Sequence, residues 1–472
     1  MKIKNNIFKW VIPVSILLVG LLFACSEDFP ENVESTKFTV LESIKILNAG
    51  ANGNTVVEGV IDENRKTVWF PRLDPETDVS AIRFEATMSA GAKLDKEAYA
   101  FDFEEGRDSK TITIKVVNEP RFREYHVELR LNIPVYGADF KSFTVYDHSG
   151  NDLGDPIYPT FTGSLTRGTG FDGEHVLIVT RHEMGSHLLS VDDLKNGVVK
   201  PINLNMTGVS GGIFAVNRGE IVNGHTYVIN LSGLYGLKIY HWANPQDVPD
   251  LVIEANPANI EGAGDRHGDN YSMNLDKNGN GFIFLGANNK TSILRFTVKN
   301  YTEVTETKVL ATHTGVSNVM TYNQVEDTDD YLLSGYDTKN IYVVDSESSL
   351  SYTFASDEID SQSVGARIVS FNGERYLMYA ISPRYRGNSV LYVYDITRGS
   401  STVEALQLFD EGDKTPLLQY SLGGSFNTAP GTDTGYKVLK DAEGNDSVLR
   451  LYAASNDAGF AVIDIPKKEL DE

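Results

Sequence analysis

The sequence has one cysteine and three tryptophans in 472 residues, and a single apolar run exceeds ten residues. One cysteine excludes an internal disulfide and any CxxC or Cys/His zinc pattern. A single apolar run excludes a protein that crosses a membrane many times with helices. Basic residues are scarce, with 42 Lys and Arg against 65 Asp and Glu, a formal charge of −23. Such a surface repels phosphate backbones, so nucleic acid is excluded as a bulk partner. No HExxH or P-loop motif occurs. What is present is 41% hydrophobic content, with 23 Tyr and 22 Phe, enough for packed cores. The length suits two or three domains, or one domain joined to a repeat fold.

The apolar run has an address-like setting. Lys2, Lys4 and Lys9 precede Trp10–Ala24, which is shorter than the ~20 residues of a spanning helix and reads as a signal peptide. It ends Leu22-Phe23-Ala24-Cys25. This resembles a bacterial lipobox, which implies cleavage before Cys25 and acylation of its thiol. The acidic pair Glu27-Asp28 resembles the export signal of surface lipoproteins of the Bacteroidetes. Residues 1–24 are therefore expected to be a leader and 25–36 a polar tether. The expected location is the outer membrane, lipid-anchored and exposed at the cell surface. Losing the three leader lysines leaves 39 basic residues against 65 acidic ones, a mature charge of −26.

Residues 37–133 alternate in short runs broken by turn residues. Phe38–Leu47 stops at Asn48-Ala49-Gly50, and Thr55–Ile61, Thr67–Phe70, Ala81–Thr87, Thr111–Val117 and Glu124–Leu131 follow. About seven short strands in about 95 residues predict an immunoglobulin-like (Ig-like) β-sandwich, here without the Cys…Trp…Cys signature.

Residues 134–472 repeat a unit made of an apolar strand, a polar hairpin and a second strand. The copies are His175–Thr180 with His187–Val191, Thr226–Asn230 with Leu237–Trp242, and Phe282–Leu285 with Ile293–Val298. They continue with Tyr331–Leu333 and Ile341–Asp345, Tyr376–Tyr379 and Val390–Asp395, and Leu449–Tyr452 and Phe460–Asp464. A flanking strand on each side makes four strands per roughly 50 residues, the period of a β-propeller blade. The expectation is an all-β chain: an Ig-like β-sandwich, then a six-bladed β-propeller. A seventh blade within 399–440 is left open. Phe140–Tyr146 has no unit of its own and is expected to complete the last blade, which lacks a strand after Ile465; this closure removes an open edge.

Asp276-Lys-Asn-Gly-Asn-Gly281 matches the opening of a calcium loop, with Asp276, Asn278 and Asn280 as the ligands. Ala287 stands where the bidentate Glu belongs, so a tight hairpin is the better reading and no cofactor is expected. Propeller ligand sites usually lie where the strand 2–3 hairpins and the 4–1 loops meet. The hairpins supply Arg181, His182, Glu183, Tyr235, Asn288, Asn289, Lys290, Tyr336, Asp337, Arg384, Tyr385, Arg386, Asn456 and Asp457. The 4–1 loops supply Arg167, Arg266, His267, Asp269 and Asn318. Planar aromatics stack on sugar rings, and Arg and Asn donate to hydroxyls and carboxylates. The candidate binding residues are His182, Tyr235, Arg266, His267, Asn289, Tyr336, Arg384 and Tyr385, with no catalytic residue assigned.

Leader, Ig-like module and propeller together resemble Bacteroidetes cell-surface lipoproteins associated with glycan utilisation. The resemblance implies a surface lipoprotein binding an extracellular ligand, above all a glycan, through the propeller loops. Two alternatives stay open: a propeller lyase or hydrolase acting on polysaccharide, with His182 and His267 as its acid–base candidates, and an adhesion scaffold or component of an outer-membrane transport complex.

Overall fold

The computed structural model describes residues 36–469 except 105–106, 154–155, 234–235, 290–291, 314–318, 336–339, 356–362, 382, 385–386, 426–428 and 430. The expected leader, Cys25 and nearly all of the tether lie outside the described residues, as do Tyr235, Tyr336 and Tyr385. The chain divides into two compact units, Met1–Pro134 and Val135–Glu472. No helix among the described residues is long and apolar enough to cross a membrane.

In the first unit, alternation along each strand sends one face into a shared core. Along Arg121–Arg130, Tyr125, Val127 and Leu129 are buried while Glu124 and Glu128 turn outward. Leu41–Ala49 sits between Thr55–Glu58 and Phe84–Met88 in a three-stranded sheet. A five-stranded sheet runs in the order Val60–Asp62, Thr67–Trp69, Arg121–Arg130, Ser109–Asn118, Lys93–Leu94. Its Thr67–Trp69 and Arg121–Arg130 strands pair in parallel. Ile44, Ile46, Phe70, Ile114 and Val116 pack between the two sheets.

The second unit is a propeller-like series of six four-stranded sheets among the described residues. The first holds Thr166–Phe171, His175–Thr180, His187–Ser190 and Ile202–Asn203. Phe214–Val222, His225–Leu231, Leu237–Trp242 and Asp250–Ala255 form the second, and Ser272–Leu275, Gly281–Gly286, Ser292–Lys299 and Glu303–Ala311 the third. The fourth contains Met320–Gln324, Tyr331–Gly335, Asn340–Val344 and Leu350–Ala355; the fifth, Ser363–Phe371, Glu374–Ile381, Gly387–Asp395 and Leu418–Ser425. In the sixth, Thr432–Lys440, Asp446–Ser455 and Gly459–Pro466 are joined by the early strand Thr144–Ser149. Every pair within these sheets is antiparallel.

Each sheet is open, and the ring is made between sheets. The first strand of each contacts the first strand of the next, and Thr166–Phe171 contacts Thr432–Lys440. Second strands read as continuous apolar runs, such as Val176–Val179, because both faces are covered by neighbouring sheets. The described residues of 399–440 hold no additional sheet. They hold a helix, Thr402–Glu411, then the last strand of sheet five and the first of sheet six. Ser401 caps that helix by accepting from the Glu404 amide at 3.1 Å, and Ala405, Leu406 and Phe409 bury its apolar face. This insertion accounts for the longer repeat step in that region.

Gly168 sets how closely the first two sheets approach. A Cβ there would lie 2.4 Å from the Arg218 Cα and 2.8 Å from the Asn217 carbonyl oxygen, both backbone atoms that cannot swing aside. Gly168→Ala is therefore expected to cost about 3 kcal/mol through overpacking. A lowered urea midpoint at unchanged m would show it, and an unshifted midpoint would contradict it.

Candidate functional site

Four guanidinium groups gather where the 4–1 loops enter the ring. Arg167 opens the first strand of sheet one, and Arg181 follows its second strand. Arg218 comes from the middle of the first strand of sheet two, and Arg266 from the loop before sheet three. Two carboxylates accompany them. Arg266 grips Asp269 through Nε at 2.9 Å and Nη2 at 2.7 Å. Arg167 Nη2 lies 3.9 Å from the other Asp269 oxygen. Arg218 donates from Nε to the Asp269 carbonyl at 2.8 Å, and its Nη1 straddles both Asp433 oxygens at 3.3 Å. Thr169 completes the Asp433 shell, with its amide at 2.7 Å and its hydroxyl at 2.8 Å. Arg181 lies over the Phe214 ring, 3.8 Å from its centroid, and donates to the Ser164 carbonyl.

The charge in this cluster is incompletely met. Arg167 is 8% exposed and Arg218 is 1% exposed, yet Arg167 Nε and Arg218 Nη2 have no hydrogen-bond partner among the described residues. Burial, reinforced by the positive charge of Arg218, pushes the Arg167 guanidinium down to about 10. Against a chain carrying −23, this is a local positive focus.

The residues singled out from sequence fall unevenly around it. Arg266 is part of the cluster. His267, next to it, is fully buried, and burial pushes its imidazole down to about 4. Its backbone exchanges hydrogen bonds with Ser232, through His267 N to Ser232 Oγ at 2.9 Å and Ser232 N to His267 O at 3.0 Å. His182 stays in its hairpin, where Nδ1 accepts from the Met184 amide at 3.2 Å. Asn289 is exposed in the hairpin of sheet three, whose Asn288 accepts from the Arg266 amide at 3.2 Å. Arg384 is half-buried in the hairpin of sheet five. His187 is a core residue between Tyr158 OH at 2.8 Å and the Gly185 carbonyl at 2.7 Å. Asp276 uses its carboxylate on its own turn, accepting from the Asn278 amide at 2.8 Å and the Asn280 amide at 2.9 Å. Arg218 and Asp433 are not among the candidates the sequence offers. For Arg218 the available signal is the strand run Asn217-Arg218-Gly219-Glu220, since a polar stretch in a buried inner strand demands partners.

A cavity of about 560 Å³ opens at the opposite ends of the first strands, beside the strand 1–2 turns. Its lining includes Asp172, His175, Glu220, Arg367, Tyr436 and Lys437. Burial pushes the Glu220 carboxyl up to about 8, with Arg367 opposing the shift and Asp433 adding to it. Glu220 is therefore largely protonated at neutral pH. The raised value means that stability falls as pH rises from about 4.5, where the unfolded chain ionises, to about 8. Glu220→Gln is expected to flatten that decline, as read from urea midpoints measured across the interval.

The family model described as "Domain of unknown function (DUF4623)" matches residues 27–468. The crystal structure of a DUF4623 family protein from Bacteroides eggerthii DSM 20697 is 41% identical, with a TM-score of 0.78, covering 92% of this chain and 99% of that one. A streptogramin B lyase structure is 10% identical at a TM-score of 0.37, covering 70% of this chain and 100% of that one. The β-propeller domain of Myceliophteria thermophila Cps50 (Swd1) is 12% identical at 0.32, covering 63% and 83%. At such values neither of these two bears on the site. No curated protein matches the sequence. With nearly its whole length matched by the family model and by a solved member, the chain belongs to the DUF4623 family.

Proposed function

We propose that this protein is a lipoprotein, acylated at Cys25 and held at the outer face of the outer membrane, that binds an acidic glycan with the arginine cluster of its second unit. In this reading the second unit is a six-bladed propeller and the first an Ig-like spacer. The observation that carries the ligand assignment is a pair of nitrogens without a partner among the described residues, Arg167 Nε and Arg218 Nη2, on side chains almost wholly removed from water. A buried guanidinium N–H without an acceptor is costly, and a carboxylate oxygen is the acceptor it matches best. Uronate-bearing glycans supply such oxygens on a ring that exposed polar loops can hold by its hydroxyls.

The test is retention on affinity gels containing uronate polysaccharides beside neutral ones of similar backbone. Selective retention on the acidic gels is expected, and equal migration in all gels would overturn the reading. The anchor is tested separately. Cys25→Ala should move the protein from the membrane to the soluble fraction, because several acyl chains provide the attachment; a variant that stays in membranes removes the lipoprotein assignment.

A further inference from the structure

We propose that the cavity beside the strand 1–2 turns is a second ligand site, one that takes an uncharged polyhydroxylated ring, a neutral mono- or disaccharide. None of the four clustered arginines lines this cavity, which opens at the other ends of the first strands, although Arg218 and Asp433 act electrostatically on its Glu220. Its volume of about 560 Å³ is in the range of small-molecule sites.

The argument rests on how the lining is charged. Asp172 and Glu174 enter from sheet one, and Glu220 from sheet two; Arg367 comes from sheet five and Lys437 from sheet six. Lys437 lies against Gly173, between the two acids, whereas Arg367 enters from sheet five. Arg367 is anchored by Nε, which donates to the Thr434 carbonyl at 3.1 Å and to its hydroxyl at 3.3 Å. Its terminal nitrogens make no hydrogen bond within the protein among the described residues and remain for a ligand. Asp172 is fixed by the amides of Glu174 at 2.9 Å and His175 at 2.7 Å, and the His175 ring lies 3.9 Å from its second oxygen.

With Glu220 protonated, the two carboxylates of Asp172 and Glu174 face the two cations of Arg367 and Lys437. Such a lining has little net charge to offer an ion, and the His175 ring, raised by Asp172, adds a positive charge when protonated. It does offer acceptors at Asp172 and Glu174 and donors at Arg367 and Lys437. A sugar hydroxyl both donates and accepts, so one ring can donate to Asp172 or Glu174 and accept from Arg367. Protonated Glu220 adds a donor at the inner end of the cavity. The charged groups nearest Glu220 are Arg218, Arg367 and Asp433, with the Tyr271 and Tyr452 hydroxyls beside it. When Glu220 ionises it loses its donor and makes the lining net negative, so neutral-sugar binding should weaken as pH rises past the value at which this carboxyl titrates.

The experiment is saturation-transfer NMR and calorimetry on the full chain with glucose, galactose, mannose and xylose and their β-linked disaccharides. Wild-type protein is expected to bind at least one of them near about pH 6.5 and to lose about tenfold in affinity near about pH 9. Glu220→Gln should bind with no such pH dependence. Arg367→Met should lose about tenfold or more, and Lys437→Ala, an exposed rim position, provides a second loss in a variant whose folding is not at risk. Arg167→Met should leave this binding unchanged, which separates the site from the loop-face reading. The proposal is overturned if no neutral sugar binds at millimolar concentration. It is equally overturned if binding survives both Arg367→Met and Lys437→Ala, or if it depends on Arg167.

Discussion

Arg218→Met is expected to destabilise the protein by about 3–5 kcal/mol, while Arg167→Met costs less than about 1 kcal/mol or stabilises it, although both strongly weaken acidic-glycan binding. The difference follows from what each guanidinium does in the ligand-free protein. Arg218 ties sheet two to the loop before sheet three through the Asp269 carbonyl, and to sheet six through Asp433. Removing it leaves the Asp433 side chain with Thr169 as its one donor among the described residues. Breaking one side of a buried pair strands the other charge, which is the costly case. Arg167 has no comparable duty. Its nearest carboxylate oxygen is 3.9 Å away, its Nε is unpartnered, and burial beside Arg218 works against its charge. Because its pKa is lowered rather than raised, the folded protein holds that charge at a penalty throughout the pH range below about 10.

Ligand binding inverts the ranking of the two residues. An anion that accepts from Arg167 Nε and Arg218 Nη2 makes two charge-assisted bonds in a dry setting, and truncating either donor should weaken binding about 100-fold. Urea midpoints of the two variants, beside calorimetric titration with uronate oligosaccharide, check both halves. Equal destabilisation by Arg167→Met and Arg218→Met would show that Arg167 is a structural residue, and the case for an anion site would fall with it.

How far the sequence exposes this architecture depends on which signal each element carries. The six apolar strand pairs read from the repeat correspond to the second and third strands of the six sheets. Those strands are covered on both faces, so they read as apolar runs such as Val176–Val179 and Ile283–Leu285, with polar turns between them. The first strands are harder. They line the ring centre and carry Arg218, Glu220, Arg367 and Asp433 among glycines and threonines, a composition that resembles a loop. Whether a residue in that layer faces a channel, a cavity or the next strand depends on contacts between sheets 50 or more residues apart, such as Arg218 with Asp433. For the same reason Arg266 could be placed on the loop face from sequence, whereas the burial of its neighbour His267 could not. The helix at Thr402–Glu411 was hidden by the repeat itself, because a search for strands passes over an insertion between the third and fourth strands of one sheet.

A chain beginning at residue 151 is expected to lose at least about 5 kcal/mol relative to one beginning at residue 135, and to associate through its exposed edge. The two differ by the strand Thr144–Ser149, which joins the sixth sheet against Gly459–Pro466 from Ser149 opposite Gly459 to Thr144 opposite Asp464. Six ladder positions are lost together with the packing of Val145 and Tyr146 on two cores and of His148 on the Phe460 ring at 5.1 Å. Asp147 adds a tie to sheet five by accepting from the Tyr420 hydroxyl. The residues just before the strand bind the chain end too. Ala138 N donates to Tyr376 OH at 2.8 Å, Asp139 N to Pro466 O at 2.8 Å, and Lys468 N to Gly137 O at 2.9 Å. In a ring of open sheets each sheet is covered by its neighbours, so a loosened sixth sheet exposes faces of the first and fifth as well. The edge left uncovered, Phe460-Ala461-Val462-Ile463, is apolar and nearly uncharged, the composition that recruits another strand. Light scattering with urea unfolding on the two chains tests this. A monomeric chain from 151 with the same unfolding midpoint would mean that the six sheets hold together without their terminal strand.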